Sequence, residues 1–421
     1  MGTINGKYPL HYATSARNWQ MLARLALAAI IASAPTAHPR VVLADPIDST
    51  PHVLDGIVNA IAVVGRTVVV GGAFSEVADA ARTTTYPRSN LFAYDLATGR
   101  VLEDFAPVVP GAVHGLAAGE RGTVYVGGQF HGVNNEPARA LARLRLSDGA
   151  LVPGFAPRIG GGTVTTLARQ GSQLYVGGDF VSPRTALARL DAVTGAADPG
   201  FAVTPGKPLT RRVKVYALAL SRDRLAVDGT FTTLDGASRP QLGLIDVSGR
   251  AAKVAPWRTD VYARTCMAAF PSYVRGLDFA PDGRYFAVVT TGGPRAGMCD
   301  TTARFETYAK GSRIKPTWVN STGGDSLYAV SVTGAAVYVG GHQRWLDNPR
   351  GHDSAGPGAV SRPGIGAIHP RTGKALSWNP TRERGIGVKA FYAHPTGLLV
   401  GSDTTRLGRE YHARIGMFPL P

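Results

Sequence analysis

Seven positions of this chain carry side chains suited to recognition: Asn59, His114, Thr165, Tyr216, Arg275, Tyr328 and Lys389. They recur roughly every 50 to 60 residues, and each is followed by a small residue, Ala60, Gly115, Thr166, Ala217, Gly276, Ala329 or Ala390. An amide, an imidazole, a hydroxyl, two phenols and two cations brought together can hydrogen-bond to a sugar, stack on it, or hold a carboxylate or phosphate. The alternative is that they fill contacts between neighbouring units or face channel water. A second group is continuous in sequence: His342, Arg344, Trp345 and Asp347, with Arg350, His352 and Asp353 close behind. A tryptophan beside arginine and aspartate suits carbohydrate, but Trp345 can equally pack beneath its own loop. The histidines and aspartates are of the types used as metal ligands or acid–base groups. Their spacing matches no ligand motif, and P-loop, G-x-S-x-G and H-E-x-x-H patterns are absent. No catalytic residue, metal or cofactor is therefore assigned.

What must position these residues is a repeat. Leu174-Tyr175-Val176-Gly177-Gly178-Asp179-Phe180 has close copies at 68–74, 124–130, 225–231 and 337–341, and weaker ones at 286–292 and 398–403. Each is a β-branched and aromatic run ending in glycine, a strand with a glycine-permitted bend at its end. Around each copy stand a preceding strand, a following strand such as Ala186 to Leu190, a tight turn such as Thr194-Gly195, and a last strand ending on an aromatic. Those aromatics are Phe105, Phe155, Phe201, Trp257, Trp318 and Trp378, expected to pack between neighbouring units. Four antiparallel strands in each of seven repeats predict an all-β fold, a seven-bladed β-propeller. The last repeat lacks its fourth strand, so residues around Val41 to Thr50 are expected to supply it and close the ring.

Formal charge is +16, and +12 once the four basic residues of 1–44 are set aside. That excess attracts anionic partners, although it is scattered along the chain. Residues 1–44 read as an export signal, Arg17 and Arg24 preceding the apolar run Leu25 to Ile31, with cleavage after Ala34 or Ala44. Residues 45–421 are then the propeller domain of a secreted or cell-surface protein. Cys266 and Cys299 are an even pair in an exported chain, which predicts one disulfide. The long connections, roughly 75–90, 202–213, 258–273, 293–302 and 342–364, all fall on one face, where binding tends to reside.

The V-Y-V-G-G-x-F strand, the A-R-L strand and the T-G turn before a terminal aromatic resemble the delta-60 repeat family of exported actinobacterial β-propellers. The resemblance spans roughly residues 41–421 and is strongest in the first three repeats and the sixth. Phe279 to Tyr285 in the fifth is more similar to TolB-type propellers. The resemblance implies a fold and an extracellular setting and transfers no catalytic residue. The expected function is non-enzymatic: binding of an extracellular ligand, such as an anionic polysaccharide, through the loop-rich face, with nucleic acid and membrane not expected as partners. The alternative is an extracellular hydrolase or lyase with its site at the channel mouth, for which His114, His342 and Asp347 should cluster.

Overall fold

The computed structural model describes residues 37–293, 297–311 and 313–421, so most of the expected leader lies outside the described residues. Every regular element among the described residues is a strand. In the first repeat Ile57–Val64, Thr67–Ala73 and Leu91–Asp95 pair antiparallel in chain order, as Val164–Gln170, Gln173–Gly178 and Leu187–Asp191 do in the third. The same order holds in the sheets that begin at Val113–Ala118, Val215–Leu220, Val274–Phe279, Leu327–Val332 and Ala390–His394. These seven first strands also touch in series, each against the next, and the last packs on the first.

The fourth strand differs from expectation. It is regular in two sheets, at Lys253–Val254 and Trp318–Ser321. In four others a single bridge marks its place: Tyr94 with Val101, Leu144 with Leu151, Leu190 with Ala197, and Ile368 with Ala375. Pro153 and Pro199 follow two of these bridges, and proline has no N–H to extend a ladder. Beside the last strand, Ile415–Pro419, runs the segment that precedes the first repeat: Leu43 N–H donates to Pro419 O (2.8 Å) and Ile47 N–H to Met417 O (2.9 Å).

The glycine pairs have a different cause from a terminal bend. Gly71, Gly127 and Gly177 lie inside their strands, and none has a positive φ. A Cβ on Gly71 would stand 2.5 Å from Val113, on Gly127 2.5 Å from Val164, and on Gly177 2.7 Å from Val215. Each valine begins the first strand of the next repeat, and Gly401 of the last repeat is related in the same way to Val58 of the first (2.6 Å). Glycine is thus required by close approach between sheets, where any side chain would force them apart.

The terminal aromatics pack as expected. Phe105 is fully buried among side chains of the first two repeats, and Trp378 meets Tyr338 and Phe418 edge-on with centroids 5.2 Å apart in both pairs. Three of the long connections are partly ordered: Glu76–Ala78 pairs with Thr85–Pro87, Trp345–Leu346 with Val360–Ser361, and Pro205–Pro208 with Phe231–Leu234. Cys266 and Cys299 are joined by a disulfide with Cα atoms 5.7 Å apart.

Candidate functional site

The recurrent polar residues converge. Asn59, His114, Thr165, Tyr216, Arg275, Tyr328 and Lys389 all line one cavity of about 250 Å³, floored by the small residues that follow them. The device that aims them is a β-bulge. Pairing of the first and second strands slips between Val58 and Ala60, Val113 and Gly115, Val164 and Thr166, Val215 and Ala217, Val274 and Gly276, and Leu327 and Ala329. In each repeat the skipped residue is the one lining the cavity. A bulge leaves one residue unpaired and re-aims its side chain. In the seventh repeat Lys389 stands just before the strand, its N–H donating to Gly401 O (3.0 Å).

The lining divides by chemistry. Asn59 donates its amide to Val113 O (3.1 Å), and the Thr165 hydroxyl donates to Val215 O (2.5 Å), so both are committed to the next repeat's backbone. Burial and the nearby Lys214 charge lower the His114 pKa, which favours a neutral imidazole. On the other side cations lie over rings. The Arg275 guanidinium is 4.4 Å from the Tyr216 centroid, Lys389 Nζ is 3.5 Å from that of Tyr328, and Lys214 Nζ is 5.6 Å from that of Tyr216. Arg275 also donates to Val274 O (2.9 Å) and Ser272 O (2.8 Å), which fixes its planar fork. Burial brings the Lys389 pKa down to about 8, against the attraction of Asp403. No carboxylate lines this cavity among the described residues. Further along the same strands lies a second cavity of about 320 Å³, with Arg169, Asp278 and Ser331 among its lining.

Similarity to known proteins bears on the fold. A family model described as "Domain of unknown function (DUF5122) beta-propeller" matches residues 122–155 and 173–201. The WD40 beta propeller domain of Doa1 superposes with a TM-score of 0.50 at 12% identity, covering 88% of this chain and 94% of that one. The fold is a β-propeller. A computationally designed protein, Ika8, aligns at 12% identity with a TM-score of 0.47 over 90% of this chain and 99% of that one. No curated protein matches the chain.

Around this propeller the sixth-repeat residues separate. His342 is at the cavity's edge, its ring 5.8 Å from that of Tyr328, and burial and Arg384 lower its pKa. Arg344 is held by Asp325 (2.9 Å) and Asp353 and lies 4.3 Å from the Trp345 centroid. Trp345 is half-buried in a hairpin. Asp347 is committed elsewhere, accepting the Asn320 amide (2.5 Å) and the Ala375 N–H (3.1 Å). It does not line the cavity, so it does not join His114 and His342 as a hydrolase would require.

Two features escaped the sequence. Lys214 adds a cation behind Tyr216, with nothing in the repeat pattern to single it out. Asp228 stands where five other repeats have the first glycine, and that substitution was a readable signal. Its carboxyl is fully buried; Oδ1 accepts the Ala217 N–H (3.0 Å) and Oδ2 has no partner. Burial pushes its pKa up to about 7, only partly offset by the Ala217 N–H and then by Arg275.

Proposed function

We propose that this protein is a secreted, non-enzymatic, seven-bladed β-propeller that binds the acidic group of an extracellular glycan at the channel mouth. The observation that carries the reading is the lining itself: Arg275 and Lys389 held over Tyr216 and Tyr328, with no carboxylate among the residues that line the cavity. Cations steadied on aromatic rings suit a sugar that bears a carboxylate or sulfate, the charge meeting Arg275 and Lys389 and the ring face meeting the phenols. A cavity of about 250 Å³ fits one sugar residue, so a polymer would enter by an end or a side branch. Seven first strands in a cycle support the blade count, and the hydrogen bonds of Leu43 and Ile47 to the last strand support closure by the N-terminal segment.

The disulfide and the absence of any helix long and apolar enough to cross a membrane among the described residues agree with export. Val42 is buried, its N–H donates to Tyr338 Oη (3.0 Å), and Trp378 Nε1 donates to Leu43 O (3.0 Å). Cleavage after Ala34 would keep these contacts, and cleavage after Ala44 would remove them. The test of function is binding to acidic and neutral polysaccharides at low and high salt, with Arg275→Ala, Lys389→Ala and Trp345→Ala variants. Acid-selective, salt-sensitive binding lost with the two cations is expected. Binding indifferent to both, or none to any acidic polymer, overturns the reading.

A further inference from the structure

Away from the mouth, one donor atom from each of Asp48, Glu410 and His412 comes within 4.8 Å of the others. Asp48 belongs to the segment before the first repeat; Glu410 and His412 belong to a hairpin of the last. The segment seats on that hairpin, since a Cβ at Gly408 would meet Pro46 at 2.4 Å. The imidazole of His412 is 3% exposed, its Nε2 stands 3.3 Å from Glu410 Oε1, and its Nδ1 has no partner. The Asp48 carboxylate makes no hydrogen bond or ion pair with any described residue. In a chain with 45 basic and 29 acidic residues, two carboxylates meet here without a paired lysine or arginine.

We infer that Asp48, Glu410 and His412 form a site for a divalent zinc-type cation that clamps the two ends of the chain together. One imidazole and two carboxylates are a borderline donor set, favoured by Zn²⁺ over Ca²⁺, which takes six to eight oxygens. At Zn–N and Zn–O distances of about 2.0 to 2.2 Å, tetrahedral ligand atoms lie about 3.4 Å apart, close to the 3.3 Å separation of His412 and Glu410. Asp48 completes three protein ligands and water supplies the fourth. Neighbouring His52 is excluded, because its Nδ1 accepts the Ala413 N–H (3.3 Å) and its Nε2 faces Ala80 O (3.2 Å). Such an ion joins residues 48 and 410 and so restrains the open chain as a cross-link over a long loop does.

The test is calorimetric titration of chelator-treated full-length mature protein with Zn²⁺ and with Ca²⁺, followed by thermal melts. One equivalent of Zn²⁺ should bind and raise Tm, while Ca²⁺ should do neither. Asp48→Asn removes an exposed ligand without disturbing the core, and it should weaken Zn²⁺ binding about tenfold or more. Glu410→Gln should do the same, whereas His394→Gln, altering a histidine outside the cluster, should leave binding unchanged. Co²⁺ should give tetrahedral visible bands that Asp48→Asn abolishes. No saturable Zn²⁺ binding, or binding untouched by Asp48→Asn, overturns the assignment.

Discussion

The two arcs of the channel mouth are built by one backbone device and do different things with it. In the first three repeats the bulged residues are Asn59, His114 and Thr165, and two of them spend their polar atoms on the neighbouring strand. In repeats four to six the bulges carry Tyr216, Arg275 and Tyr328, and Lys389 completes that arc, with each cation over a ring. The neutral arc ties adjacent repeats together through Asn59 and Thr165, and the charged arc sets Arg275 and Lys389 over aromatic rings. A rigid bulge can therefore be kept while its side chain is changed, which is how one scaffold hosts unrelated sites.

The comparison can be broken most sharply by charge. Arg275→Ala combined with Lys389→Ala should weaken acidic-polysaccharide binding at least about a hundredfold, since each charge-assisted hydrogen bond contributes about 1.5 to 3 kcal/mol. Asn59→Ala should change that affinity less than about threefold but lower Tm, because its amide ties the first repeat to the second. Equal losses of binding from the two arcs, read by titration, would dissolve the distinction.

The arcs meet where the last repeat adjoins the first. Removing residues 37–47 strips the contacts of Val42, Leu43 and Ile47 and should lower Tm by roughly 10 °C. An unchanged melt would show that the junction holds without them. On the charged side, Cys266→Ala with Cys299→Ala opens a cross-link spanning 33 residues. The chain-entropy contribution of such a loop is about 3 to 4 kcal/mol, so Tm should fall by roughly 5 °C.

The smallest effect concerns Asp228, which lies under the charged arc. A carboxyl raised to about 7 in the fold contributes stability below its unfolded value near 3.8, and that contribution is lost as pH rises through 7. Asp228→Asn should therefore melt above the parent at about pH 8, and the gap should close as pH falls toward about 5. A gap independent of pH would show that the carboxyl's pKa is not raised in the fold.

Repeat period, strand content, the aromatic packing positions and the cysteine pair were legible because each depends on local pattern: β-branched runs, turn pairs and small-residue spacing. The recurrent position two residues into each first strand was legible for the same reason, as a variable residue followed by a small one. What it was for was not. The role of Gly71 and its copies depends on a valine about 40 residues away, and the commitment of Asp347 depends on Asn320 and Ala375. Likewise, the buried Val42, the meeting of Asp48 with His412 and the unpartnered Asp228 oxygen exist only once distant sheets are pressed together. The sequence by itself determined the unit and how often it recurs, because strand and turn are short-range properties. Only the tertiary structure decided which unpaired residues face one cavity and which charges go unanswered, because those follow from contacts between sheets far apart in the chain.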